Sequence, residues 1–183
     1  MTAKPSRGWE RKLKLIGAVI IICGCGYTGL KIAADYQKRA DTLRMLQNGL
    51  NLLETEISYS LTPLPLALQR VGDKLNRETR VIFTRAAEIM QAKDGCAVSE
   101  AWEAGIKTLA GSVPVSAEEM SILEHFGKGL GKSAREEQIK NIALAREQLR
   151  MAEKNAIAAL EKNKKMYQYT GFCFGLVIVL LLV

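Results

Sequence analysis

The chain has 183 residues, 48% of them hydrophobic, 25% charged and only 6% aromatic, with a formal net charge of +7. That length suits about one compact domain with appendages. The charge is uneven: residues 1–14 hold five Lys/Arg and one Glu for +4, whereas residues 31–165 hold 21 Lys/Arg and 18 Asp/Glu for +3. A middle of mixed sign excludes the basic stripe of a nucleic-acid binder, and the basic tail at 1–12 suits anionic lipid headgroups.

The first element is an uncharged run, "LIGAVIIICGCGYTGL", from Leu15 to Leu30. Sixteen helical residues rise roughly 24 Å against a hydrocarbon core of about 30 Å, and Lys14 and Lys31 can snorkel to close the gap. A transmembrane helix is therefore expected over 13–34. Arg7, Arg11 and Lys12 before an apolar run also suit a signal peptide, but no small-residue cleavage site follows. A second uncharged run, "YQYTGFCFGLVIVLLLV", spans Tyr167–Val183 and predicts a transmembrane helix over 166–183. Lys162, Lys164 and Lys165 precede it, which places the middle, 35–165, in the cytoplasm.

After the first run the apolar residues follow a three-four rhythm: Tyr36, Ala40, Leu43, Leu50, Leu53 and Ile57. The membrane helix is thus expected to continue into a long amphipathic one. "LTPLPLAL" breaks it, with Thr62 as N-cap and Pro63 in the first turn of a new helix. Leu64, Leu68, Val71 and Leu75 mark that second helix, and Ile82, Phe83, Ala86, Ile89 and Met90 mark a third. Asp94-Gly95 punctuates the next turn, Ser99 is its expected cap, and the fourth helix carries Trp102, Ile106 and Leu109. Ser116-x-x-Glu119 is a capping box opening the fifth, whose stripe is Met120, Leu123, Phe126 or Gly127, and Leu130.

The stretch "HFGKGLGKSAREEQ" resembles a phosphate loop, but the Walker spacing needs glycine at 126, where Phe126 stands, and no strand precedes it. A helix turn fits better. Gly131 is expected to adopt the left-handed conformation, Gly127 to let another helix approach, and Ser133-x-x-Glu136 to form a second capping box. The sixth helix then keeps its spacing through Ile139, Ile142, Ala145, Leu149, Ala152, Ala156 and Leu160 into the second apolar run.

The fold expected is all-α: an antiparallel bundle of about six helices, with terminal transmembrane helices continuous with the long first and last helices. The four short helices are expected to pack near the ends of the long pair farthest from the membrane. Chemistry has few candidates. His125 is the single histidine, no C-x-x-C occurs, and Glu54 and Glu56, two apart on a helix, do not face each other. The reading is a protein with no catalytic residues, no cofactor and no metal. Its expected partner surface is the tip of the bundle at Glu54, Glu56, Tyr59, Thr62, Pro63 and Pro65.

"LKLIGAVIIICGCGYTG", "LETEISYSLTPLPLAL", "VSEAWEAGI" and "FGKGLGKSAREEQIKNI" together resemble the stage III sporulation protein AB family of endospore-forming Firmicutes, from about residue 13 to 183. One departure is Ala134, where the family's pattern expects Asp. The resemblance implies a mother-cell membrane protein of the channel complex that links mother cell and forespore. It also implies a helical domain similar to the cytoplasmic domains of type II secretion and type IV pilus platform proteins. The partners so implied are the ATPase stage III sporulation protein AA and the other channel proteins. Gly17, Gly24, Gly26 and Gly29 would allow close packing of membrane helices in a homo-oligomer. A membrane-anchored sensor or adaptor is the other class that the residues permit.

Overall fold

The computed structural model describes residues 7–60, 62–92, 95–131 and 134–182, without the side chains of 7–30, 32–33 and 163–182. Six helices are present: α1 (Arg7–Tyr59), α2 (Leu64–Asp73), α3 (Arg80–Ala92), α4 (Val98–Ala110), α5 (Ala117–Gly129) and α6 (Arg135–Leu182). Among the described residues there is no strand. The chain divides into two compact units, one of residues Gln37–Ile157 and one of Met1–Tyr36 with Ala158–Val183. Among the described residues no helix is long and apolar enough to cross a membrane. The two segments expected to span, 13–34 and 166–183, fall almost wholly on side chains outside those described.

Within Gln37–Ile157 every helix runs antiparallel to the one before it. Glu56 of α1 pairs with Arg70 and Lys74 around α2, and Lys38 reaches Glu78 beyond α2's end. Gly72 lies against Thr84, and Phe83 of α3 meets Trp102 of α4. Trp102 in turn donates to the Leu123 carbonyl of α5, and Gly129 lies beside Asn141 of α6. The ring closes through two polar clusters between α1 and α6. Arg44 and Gln47 both reach Glu153, at 2.9 and 2.8 Å. Arg146 donates to Asn51 at 2.7 Å and to Glu54 at 3.0 Å.

The core is the sum of the expected stripes. Ala40, Leu43, Leu46, Leu50 and Leu53 of α1 face Ile142, Ala145, Leu149, Ala152 and Ala156 of α6, all buried. Leu68, Val71, Ile82, Phe83, Ile106, Leu109, Leu123 and Leu130 fill the space between. Burying such side chains yields about 1.5–3 kcal/mol each, which is set against the conformational entropy of ordering the chain. At the centre, Trp102 is edge-on to Phe83 and Phe126, with ring centroids 5.5 and 5.3 Å apart. Gly127 makes room for it, since a Cβ there would overlap the indole.

The short helices do not gather at one end, which corrects that expectation. Glu119, at the start of α5, is bonded to Arg39, whereas Gly131 just past its end lies near Leu64 and Val98. α5 therefore runs the length of the bundle from its root, near Arg39, to its tip, where α1 finishes. Such helices, about 20 Å long, cover an α1 segment of about 34 Å almost from end to end.

Two expected caps are corrected. The N-cap of α2 is Pro63, not Thr62; the Thr62 hydroxyl instead donates to the Ser60 carbonyl and accepts from Arg70. The N-cap of α4 is Ala97, and Ser99 already lies inside the helix. The Ser116–Glu119 box forms in full: Glu119 N–H donates to Ser116 Oγ at 3.3 Å, and Ser116 N–H to the Glu119 carboxylate at 2.7 Å.

The second box is displaced. The Ala134 carbonyl accepts from the N–H groups of Glu137 and Gln138, so Ala134 holds the N-cap position of α6 and Glu136 lies one residue short of N3. Glu136 is exposed, and Ser133 lies outside the described residues. Alanine offers no acceptor there, so Ala134→Asp should stabilise the protein by about 1 kcal/mol. An unchanged urea midpoint would remove Ala134 from the cap.

Candidate functional site

The tip is built by α1 ending at Tyr59 and α2 starting at Leu64. Chain direction reverses within four residues, and the Ser60 N–H still bonds the Glu56 carbonyl at 3.1 Å. With Pro63 as N-cap, Pro65 falls in the first turn of α2, where a missing N–H costs nothing.

The expected site residues separate into two groups. Glu54 turns towards α6, where Arg146 holds it. Glu56 turns towards α2 and is buried, 3.3 Å from Arg70 and 3.5 Å from Lys74. Arg70 also donates to Thr62, which brings Glu56 and Thr62 into one network that excludes Glu54. Both carboxylates are thus satisfied within the chain. Tyr59, by contrast, is 85% exposed, and Pro63 beside it is exposed too. A phenol body left in water is costly, and aromatic residues of this kind anchor interfaces.

Three neighbours were missed in the sequence reading. Leu66 is 43% exposed, and the side chains of Arg70 and Lys74 are about half exposed. Leu66 could have been found, because it is an apolar residue off the Leu64–Leu68–Val71–Leu75 stripe. Nothing local marks Arg70 and Lys74, whose role depends on Glu56 in another helix. The tip as a whole offers an apolar cluster beside two cations, one more positive charge than Glu56 balances.

The glycine turn also borders the tip. Gly131 has φ +76°, the left-handed conformation expected of it, and a Cβ there would sit 3.0 Å from Val98 and 3.4 Å from Leu64. With Gly127 it forms a helix stop; Lys132 lies outside the described residues. Among the described residues no three His, Cys, Asp or Glu side chains gather where they could share a metal ion. On the exposed faces of α4 and α6, hydrogen bonds from Lys107 and Arg150 hold the carboxyls of Glu103 and Glu147 below their ordinary range.

The family model for stage III sporulation protein AB matches residues 14–183. This chain belongs to that family. Stage III sporulation protein AB of Bacillus subtilis (strain 168) is 35% identical over 170 residues, which is 93% of this chain and 99% of the relative. A solved structure of a stage III sporulation protein AB is 30% identical and superposes with a TM-score of 0.61, over 68% of this chain and 97% of that one. The stage III sporulation protein AB family thus accounts for the signature stretches along the chain. The tip turn and the glycine turn lie within the matched residues.

Proposed function

We propose that this member of a sporulation family is a membrane-rooted platform without catalytic activity. It belongs to the mother cell–forespore channel complex and docks a secretion-type ATPase resembling stage III sporulation protein AA. The observation that carries the docking is the tip, where Tyr59 stands 85% exposed beside Pro63 and Leu66 with Arg70 and Lys74 at its edge. Such a surface suits a partner with an apolar pocket rimmed by acids. The membrane root rests on the two uncharged runs, and the cytoplasmic placement on the lysines before the second. Glu54 and Glu56 enter as supports of the tip, since each already holds a cation of its own chain.

Tyr59→Ala should weaken co-purification of the full chain with the ATPase from sporulating membranes about tenfold or more, as truncating a central aromatic anchor does. Undiminished association would remove the tip from the interface. Failure of the unaltered chain to associate with the ATPase or any channel protein would overturn the platform itself. The side of the membrane has its own test. Cys96 is half-buried rather than sealed, so an impermeant maleimide should label it only after the cells are opened. Labelling of intact cells would reverse the orientation.

The alternative, a membrane-anchored sensor or adaptor, draws on the unbroken course of α1 over Arg7–Tyr59 and α6 over Arg135–Leu182. A chain that never meets the ATPase yet alters sporulation timing would favour it.

A further inference from the structure

Along α6, Asn141, Leu144, Gln148, Met151 and Asn155 recur every three or four residues and form one stripe. Leu144 is 50% and Met151 53% exposed, although both are large and apolar. The stripe carries no charge over four turns, whereas the outward faces beside it hold Lys140, Arg146, Glu147, Arg150 and Lys154. On its other side it opens into a groove of about 240 Å³ between α5 and α6, lined by Ile122 and His125 among others. In heptad terms Asn141, Gln148 and Asn155 take the a positions, and Leu144 and Met151 the d positions.

We propose that this stripe is a seam for a second copy of the chain, with the two α6 helices parallel and in register. A partner chosen by charge would find no complement here. A carboxamide is donor and acceptor at once, so an amide layer is completed by the same amide from a second copy. In-register pairing sets Asn141, Gln148 and Asn155 each on its own counterpart, the arrangement by which polar a positions specify register. It also covers Leu144 and Met151 with each other's equivalents. An antiparallel pair would bring Lys140 beside the second copy's Lys154, and Glu147 beside the second copy's Glu147, with like charges adjoining. The parallel pair turns these charges towards the partner's Ala145 and Ala152 edge instead. The seam lies on a different helix from the tip, so it stands independently of ATPase docking.

The test is oxidative cross-linking of the full chain in its membrane, in a parent with Cys23, Cys25, Cys96 and Cys173 changed to Ser. Asn141→Cys, Gln148→Cys and Asn155→Cys should each yield a species of twice the mass, while Arg85→Cys on α3 should not. Adding Leu144→Arg to Gln148→Cys should cut the yield about tenfold or more, because the symmetry doubles the introduced charge at the seam. Leu144 is half exposed, so this variant keeps its fold, which circular dichroism checks. Linking at 148 alone would overturn the parallel register. Yields no higher than at position 85, a yield unmoved by Leu144→Arg, or a product of any other mass would overturn the pairing.

Discussion

Replacing Trp102 with alanine should destabilise the helical domain by about 4 kcal/mol, read as a lower urea midpoint of the full chain in detergent. The side chain is 1% exposed, and three independent attachments converge on it. Its indole N–H donates to the Leu123 carbonyl at 2.9 Å. Its faces and edges meet Phe83 and Phe126 in near-perpendicular geometry, an arrangement worth about 0.5–1.5 kcal/mol per pair beyond area burial. Its body fills the space that Gly127 leaves open. Alanine would create a cavity walled by three helices, which cannot collapse together without losing contacts elsewhere. Trp102→Phe should cost less than half as much, since a ring remains and only the hydrogen bond and part of the volume are lost. A loss below about 1 kcal/mol for the alanine variant would mean that these helices repack freely.

Glu119→Ala should cost about 3 kcal/mol, from two roles that one carboxylate fills. One oxygen accepts from the Ser116 N–H and closes the capping box of α5; the other accepts from Arg39 Nε at 2.7 Å. Glu119 is fully buried, and Arg39 is 27% exposed. The variant therefore loses a cap worth about 1 kcal/mol and a charge-assisted bond worth about 1.5–3 kcal/mol, the second reduced by the water that reaches Arg39. Glu119→Gln separates the two. Its amide oxygen can serve only one donor, so it should recover the cap and leave Arg39 weakly held, for a loss of about 1–2 kcal/mol. Equal losses in both variants would place the whole effect in the ion pair.

The helices were legible because their buried residues repeat at three and four. Leu43, Leu50 and Leu53, or Ile142, Leu149 and Ala156, are apolar in sequence and buried in the fold for the same reason. Caps were less legible. Thr62 and Ser99 have the right side chains, but an N-cap is the residue at which the backbone leaves the helix, and here that is Pro63 and Ala97. Ser116–Glu119 was readable because both halves of its box lie four residues apart in one segment. The tip was half legible. Tyr59 and the proline turn are local features, whereas the partners of Glu54 and Glu56 come from α6 and α2, and no pattern near residue 54 announces Arg146.

The clasp between α1 and α6 joins residues far apart in the chain, Arg44 with Glu153 being 109 positions distant. Such contacts have consequences during synthesis, because a ribosome delivers α1 long before α6. The apolar stripe from Ala40 to Leu53 must wait, half covered by the short helices, until residues near Ala156 have emerged. Loop closure over that distance is costly and slow compared with the local hairpins of α2 to α5. The nascent protein therefore passes through a stage in which the middle of the domain is assembled and its seam is open. A chain truncated before residue 140 should stay in that stage and depend on chaperones for solubility.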